Sequence, residues 1–227
     1  MRFGVIRFPG SCDEVDAVAA CERVPGSTAQ ILWHGNRDLR GVEAVVVPGG
    51  FSYGDYLRVG AIARFSPVME AVIGFAQRGG LVLGICNGFQ VLCEAGLLPG
   101  ALLPNIERRF ICRQVNLEVT HATMPFTADC APGELLSIPV KHTTGRYYAP
   151  PEMLESLEAD GQILLRYAHD GNPNGSSNDI AGVTNAAGNV FGLMPHPEHA
   201  VDPLTGSADG GKLFASIAQA AAGAVAA

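Results

Sequence analysis

Several sequence features that would indicate a common functional class are missing from this chain. Its 227 residues contain no uninterrupted apolar run close to the ~20 residues that a membrane-spanning helix needs. The six cysteines form no C-x-x-C pair, so we expect no zinc or other metal site. Neither a G-x-x-x-x-G-K-[ST] loop nor a G-x-G-x-x-G turn follows the first predicted strand, which argues against a phosphate-binding loop.

Positive charge is also scarce. The chain has 15 Lys and Arg residues against 22 Asp and Glu residues, a net charge of −7, which argues against a nucleic acid or an anionic membrane as a partner. Met1–Ile6 has the pattern of a strand and none of the features of a signal peptide. A disulfide framework is not expected in such a chain, so we predict a cytoplasmic protein with reduced thiols.

The composition is that of a globular protein, with 48% hydrophobic and 16% charged residues. The length is sufficient for one large core and does not require two. Because we find no internal repeat and no linker-like stretch, we predict one domain over residues 1–227.

Short β-branched segments alternate with helical segments in the first half. The continuous hydrophobicity of Val45–Val47 and Leu81–Leu83 is typical of strands covered on both faces. The order of strand, helix and strand favours parallel βαβ units with right-handed crossovers. We therefore predict strands at 3–8, 30–33, 44–47 and 81–85, and helices at 13–24 and 68–78.

The second half has more strands, separated by turn-rich loops. We predict an α/β fold whose central sheet is mostly parallel, with extra strands in the second half. In such folds ligands bind at the carboxyl ends of the parallel strands. The predicted elements are strands at 114–120, 135–140, 163–167, 180–184 and 190–194, and a last helix at 211–222.

Gly84–Gly88 places a cysteine at one of these strand ends. Glycines two positions before and after Cys86 leave room for a sharp backbone turn, the thiol counterpart of a G-x-S-x-G elbow. The turn puts the thiol at the N-terminus of a helix, where unpaired N–H groups and the helix dipole favour a thiolate. We therefore predict that Cys86 is a nucleophile.

A cysteine nucleophile needs a base, and the base needs an acceptor that orients it. His196 follows the predicted strand 190–194 and has a proline on each side. Glu198 lies two residues further on, so in an extended segment the two side chains share a face. These residues predict a histidine base oriented by a carboxylate.

Pro48–Gly50 ends a third predicted strand. Addition of a thiolate to an amide develops negative charge on oxygen, and we expect the N–H groups of Gly50 and Asn87 to form the oxyanion hole. Each feature alone has an ordinary explanation: a buried cysteine, an exposed polar pair or a simple turn. Their joint occurrence at three strand ends favours one catalytic site.

Three motifs together resemble the class I (triad) glutamine amidotransferases: Pro48–Gly50, Gly84–Gln90 and Pro195–Glu198. Gly49–Arg58 and Asn172–Ser176 are similar to one branch of that family, the glutaminase subunits of phosphoribosylformylglycinamidine synthases. The similarity extends over nearly the whole chain and implies a flavodoxin-like class I glutamine amidotransferase domain.

The resemblance implies hydrolysis of L-glutamine to glutamate and ammonia, with Cys86 as nucleophile, His196 as general base and then acid, and Glu198 as its orienter. The ammonia would pass to a large synthetase subunit that makes formylglycinamidine ribonucleotide in purine biosynthesis, and a small subunit would bridge the two. ATP and Mg²⁺ would bind to that synthetase, and this chain would need no cofactor.

The resemblance also implies which residues bind glutamine. Gly49, Phe51 and Gln90 would belong to its pocket, and Arg109 and His142 would lie near the pocket or the partner surface. For Arg109 and His142 a purely structural or surface role is an equal alternative. For the whole chain the alternative is a triad cysteine hydrolase, or a glutaminase of another pathway, on the same fold.

Two positions depart from the family pattern. The loop Ser11–Asp13 is one residue shorter than usual, because an Asn between the Ser and the Cys is missing. His199 stands where the family often has an Arg. Neither departure changes the three residues of the predicted triad.

Overall fold

The computed structural model describes residues 1–122, 124–168 and 171–226. The predicted domain 1–227 also includes Thr123, His169, Asp170 and Ala227, which lie outside the described residues. The strands are β1 (Arg2–Arg7), β2 (Thr28–Trp33), β3 (Ala44–Val47), β4 (Leu81–Ile85), β5 (Ala101–Pro104), β6 (Ile111–Val119), β7 (Leu135–His142), β8 (Thr144–Tyr148), β9 (Ile163–Tyr167), β10 (Ile180–Thr184) and β11 (Val190–Leu193).

Five helices accompany these strands in the described part of the chain. Two of them, α2 and α4 in the list below, begin with a proline, whose fixed φ and missing N–H suit the first helical position. The helices are α1 (Glu14–Glu22), α2 (Pro67–Gln77), α3 (Asn87–Glu94), α4 (Pro151–Ala159) and α5 (Gly211–Ala226).

Over the described ranges, nine strands form one sheet in the order β2-β1-β3-β4-β11-β10-β9-β6-β7. The strands from β2 to β11 in this order pair in parallel, as predicted. All four residues of β3 are buried, as expected for a strand covered on both faces. Because β3, β4 and β11 are neighbours, the segments that follow them meet at one edge: Gly49–Gly50, Cys86 and His196.

The strands of the second half extend the sheet on one side with antiparallel pairings. β10, β9, β6 and β7 follow β11 in this way, and β6 pairs with β7 from Ile111 opposite His142 to Glu118 opposite Leu135. The N–H of His196 donates to the carbonyl of Pro139 at 2.8 Å. The end of β7 therefore lies against the segment that follows β11, and it contributes a further wall to the site.

Two parts of the fold lie outside the sequence-based prediction. β5 and β8 form a separate antiparallel pair, and four-residue β5 ends in a proline, so its sequence carries little strand signal. Helix α4 was also missed, although Pro151 at its start and Gly161 just after its end are ordinary helix boundary signals.

The described helices include none that combines the length and the apolar character needed to cross a membrane. All six cysteines lie within the described residues, and none is in a disulfide there.

Helix α3 packs unusually close to the sheet, and glycines make the approach possible. A Cβ at Gly88 would overlap the carbonyl oxygen of Val47 in β3. A Cβ at Gly84 would lie 2.9 Å from the backbone of Gly88 and 2.5 Å from Leu92 Cδ1. The first turn of α3 therefore rests directly on the backbone of the strand ends.

The close approach predicts a specific stability defect. Gly88→Ala should lower the free energy of unfolding by about 1–3 kcal/mol or more, because the methyl group meets rigid backbone. The matched control is Gly223→Ala in α5, where the added Cβ meets no atom within 4 Å. This control should be neutral or stabilising by up to about 1 kcal/mol. Urea denaturation midpoints measure both, and equal midpoints for the two variants would contradict the packing argument.

Candidate active site

Cys86 lies at the sharp turn between β4 and α3. Its backbone adopts φ 49° and ψ −103°, a conformation that costs energy in a residue other than glycine. The turn is held by the packing of α3 and by the Cys86 N–H, which donates to the carbonyl of Leu193 at 2.8 Å. The residue is 6% exposed and lines a cavity at the N-terminus of α3.

His196 and Glu198 meet beside this thiol. The segment Pro197–His199 forms a short 3-10 turn, so the extended backbone assumed from the sequence is wrong. The pairing itself is present, since His196 Nδ1 lies 2.6 Å from Glu198 Oε1 and both side chains are buried. His196 Nε2 has no hydrogen-bond partner among the described residues, and the ring shares the cavity wall with Cys86.

The charge of His196 follows from these neighbours. Burial by itself lowers the pKa of His196, but the negative charges of Glu198 and Cys86 raise that pKa well above its usual range. The histidine is therefore held as a cation between a carboxylate and the sulfur. In this state it can donate a proton to a leaving group.

Asp13 adds a second carboxylate behind the ring, and the sequence analysis did not identify it. Its Oδ2 lies 3.6 Å from His196 Nδ1, and its Oδ1 accepts hydrogen bonds from Lys141 Nζ and, at 3.2 Å, from His199 Nε2. Burial raises the pKa of Asp13, but His199, His196 and Lys141 outweigh it and hold that pKa well below its usual range. His199, which stands where the resemblance leads us to expect an Arg, thus contacts the negatively charged Asp13.

Asp13, His196, Glu198 and His199 also have a spacing that a metal ion accepts, with candidate ligand atoms within 4.8 Å of one another. Here those atoms contact each other and Lys141. The absence of a metal from the chain's chemistry stays a prediction.

The Gly50 N–H, the first predicted oxyanion donor, belongs to the peptide that joins Gly49 to Gly50. The Gly49 carbonyl accepts from the N–H groups of Cys12 and Asp13 at 3.2 and 3.4 Å. Because a trans peptide is planar, the Gly50 N–H on the same unit points the opposite way. Gly50 has φ 141° and lines the cavity, and a Cβ there would lie 2.6 Å from the Cys12 nitrogen. The shortened Ser11–Asp13 loop therefore supports this peptide directly.

The Asn87 N–H is the second predicted donor, and it lies at the first position of α3, where no intrahelical acceptor exists. Asn87 also organises the site with its side chain. Its Oδ1 accepts from the Ser52 N–H at 3.2 Å, and its Nδ2 donates to Gln90 Oε1 at 3.0 Å. Gln90 in turn donates from Nε2 to the Thr144 carbonyl at 2.5 Å.

Only some of the predicted substrate-binding residues line the cavity. Phe51, Gln90 and His142 line the cavity, whereas Gly49 lies behind its wall, where a Cβ would be 2.7 Å from His196 Cε1. Arg109 is exposed and is not part of the wall, and its expected place near the pocket or the partner surface stays a prediction. The neighbouring Phe110 lines the cavity, and the carbonyl of Arg109 accepts a hydrogen bond from Asn105 Nδ2 at 2.9 Å.

His142 is held neutral. Both hydrogens of Asn105 Nδ2 are used by carbonyls, so Asn105 Oδ1 must accept at 3.0 Å from His142 Nδ1. Burial and the positive charge of His196 lower the pKa of His142 to about 4. A buried Asn174, in the Asn172–Ser176 motif, supports the same wall by donating to the Gly145 carbonyl at 2.8 Å.

The cavity wall is formed by residues from several distant parts of the chain. Among them are residues that sequence reasoning missed, since an isolated Asp, Lys or Thr carries no recognisable signal. The wall consists of Cys12, Asp13, Gly50, Phe51, Asp55, Cys86, Gln90, Phe110, Lys141, His142, Thr143, Thr144 and His196.

The charge arrangement predicts a titration change. Glu198→Gln removes a negative charge that raises the pKa of His196, so this pKa should fall by roughly one to three pH units. Histidine NMR titration of the two proteins measures it. Glu158→Gln, an exposed carboxylate paired with Arg166, serves as control and should leave His196 unchanged. An unaltered His196 titration in Glu198→Gln would refute the conclusion that Glu198 raises the pKa of His196.

Comparison with known proteins agrees with this geometry. A family model described as the CobB/CobQ-like glutamine amidotransferase domain matches residues 1–214. The phosphoribosylformylglycinamidine synthase subunit PurQ of Rubrobacter xylanophilus is 57% identical over 217 residues, which cover 96% of this chain and 97% of the relative. The corresponding subunit of Salinibacter ruber is 53% identical over 223 residues, covering 95% of each chain.

Solved structures give the same picture. A chain in the structure of PurLQS from Thermotoga maritima is 44% identical with a TM-score of 0.88, covering 96% of this chain and 98% of that one. The glutaminase domain of CTPS from Trypanosoma brucei has a TM-score of 0.64 at 15% identity, covering 98% of this chain and 94% of that one, which shows the fold alone. The chain therefore belongs to the CobB/CobQ-like glutamine amidotransferase family and, within it, to the PurQ subunits of phosphoribosylformylglycinamidine synthase.

Proposed function

We propose that this chain hydrolyses glutamine through Cys86, His196 and Glu198 and supplies the ammonia to a synthetase. One observation carries the proposal: a thiol at a helix N-terminus shares a cavity with a buried, carboxylate-paired histidine. Two backbone N–H groups, those of Gly50 and Asn87, are positioned by the same strand ends. Membership of the PurQ family supports glutamine as the substrate.

In the first half of the reaction, Cys86 Sγ attacks the side-chain amide carbon of glutamine. The carbonyl oxygen takes up the negative charge and receives hydrogen bonds from the Gly50 and Asn87 N–H groups. When the tetrahedral adduct collapses, the C–N bond breaks and His196 gives its proton to the departing nitrogen. The products are ammonia and a γ-glutamyl thioester on Cys86.

In the second half, His196 takes a proton from a water molecule that attacks the thioester carbon. Collapse of the second adduct breaks the C–S bond and returns sulfur and histidine to their starting charges. Glutamate leaves as its γ-carboxylic acid, which gives its proton to solvent. Glu198 holds the ring through Nδ1 in both halves, so that Nε2 serves as the site of proton transfer.

The partners belong to the same proposal. The ammonia passes to a large synthetase subunit, which binds ATP and Mg²⁺ and converts formylglycinamide ribonucleotide to formylglycinamidine ribonucleotide, and a small subunit bridges the two. The similar Thermotoga maritima chain comes from a structure of PurLQS, which supports an assembly of this kind. Residues 1–227 act as one glutamine amidotransferase domain in the cytoplasm, and the chain carries no cofactor of its own.

The central test is Cys86→Ala in the assembled synthase. Glutamine-dependent synthesis should fall by at least about a thousandfold, because the nucleophile is lost. Cys12, the other thiol of the wall, cannot replace it, since burial and Asp13 raise the pKa of Cys12 and disfavour its thiolate. Synthesis supported by added ammonia should persist, since the synthetase is unchanged. Both rates are measured on the same complex.

The matched control is Cys112→Ala, which removes an exposed thiol and should retain glutamine-dependent synthesis. The glutamine analogue 6-diazo-5-oxo-L-norleucine should label the wild type and Cys112→Ala at Cys86 and leave Cys86→Ala unlabelled. Retained glutaminase activity in Cys86→Ala would refute the proposal. Peptide cleavage without labelling would indicate a different cysteine hydrolase.

A further inference from the structure

Asp55 lies in the wall of the catalytic cavity, and the triad chemistry does not use it. It is half-buried and adopts φ 55°, a conformation that aspartate tolerates better than most residues. Its Oδ1 makes a long contact of 3.5 Å with Nδ2 of Asn87, the residue that follows the nucleophile. The carboxyl group of Asp55 therefore lies next to the side chain of Asn87.

The backbone around Asp55 is fixed from several sides. The N–H of Phe51 donates to the Gly10 carbonyl at 2.8 Å, and that of Tyr53 donates to the Pro9 carbonyl at 2.7 Å. The Tyr53 hydroxyl lies 2.8 Å from His34 Nδ1. These contacts hold the segment that leads into Asp55 against Pro9 and Gly10.

The other charges of the cavity wall already have partners. Asp13 is paired with Lys141, and His196 with Glu198. His142 is neutral. None of these groups therefore offers an unpaired charge to a ligand that enters the cavity.

Asp55 differs from them. Among the described residues, no Lys, Arg or His lies within ion-pair distance of its carboxyl. Burial raises the pKa of Asp55 to about 6, as expected when no positive charge compensates the lost hydration. A positively charged group of a ligand would relieve this cost.

Glutamine carries such a group at the end opposite its reactive amide. We propose that Asp55 binds the α-ammonium group of glutamine and distinguishes it from amides that lack an α-amino group. This inference rests on the proposed glutaminase function. It assigns the Asp in the Gly49–Arg58 motif to substrate selection.

The experiment compares two substrates in the assembled synthase: glutamine and 4-carbamoylbutanoate, which is glutamine without its α-amino group. Asp55→Asn removes the charge and tolerates the same backbone conformation. It should lower kcat/KM for glutamine by roughly 10- to 100-fold, mainly through KM, because a charged hydrogen bond is lost. Its kcat/KM for 4-carbamoylbutanoate should stay within about threefold of the wild type.

Two further variants make the result decisive. Asp179→Asn changes an exposed aspartate that also has φ 55°, and it should behave as the wild type with both substrates. Asp55→Gly, which also suits a positive φ, should show the same selective loss as Asp55→Asn. An equal loss with both substrates, or unchanged glutamine kinetics, would overturn the assignment of Asp55.

The outcomes also separate this inference from the proposed function. If Cys86→Ala abolishes glutamine-dependent synthesis while Asp55→Asn keeps the wild-type preference, only the role of Asp55 is refuted. If the wild-type complex hydrolyses neither substrate, the glutaminase function itself is refuted.

Discussion

The contact between helix α3 and the backbone of β3 is the constraint on which the site depends. Gly88 lets the first turn of the helix contact the Val47 carbonyl. Gly84, in β4, has no Cβ that would collide with the backbone of Gly88. With both ends of the turn fixed in this way, Cys86 can only join them in a strained conformation. The packing of the core offsets the energetic cost of this strained conformation. The conformation makes the Cys86 thiol project from the backbone at the edge of the sheet.

Charge balance is the second organising feature. A buried His196 with one carboxylate beside it and another 3.6 Å away would be costly if the acids were unpaired. Lys141 pairs with Asp13 and Glu198 pairs with His196. Burial and the positive charge of His196 keep His142 uncharged, and Asn105 Oδ1 accepts a hydrogen bond from His142 Nδ1. His196 thus carries the positive charge, and His142, in the same cavity wall, stays neutral.

Sequence patterns predicted the parallel half of the sheet well because its strands are continuous apolar runs bounded by glycines and prolines. They singled out Cys86 and His196 because each follows a strand and has glycines or prolines on both sides, and Glu198 because it lies two residues after His196. They did not identify Phe110 as a cavity residue, since a single aromatic residue in a loop carries no signal for its position in the fold. Asp13 and Lys141 were missed because they lie 128 positions apart and acquire their meaning only as a pair.

The sequence by itself determined which residues can form the nucleophile, the base and the oxyanion donors, since local turn chemistry and strand ends are properties of short segments. Only the tertiary structure decided how these segments combine. The adjacency of β3, β4 and β11 brings together residues from three distant regions, and the end of β7 adds Lys141 and His142. Charge states depend on burial and on neighbours from other segments, and such contacts exist only after the sheet has formed.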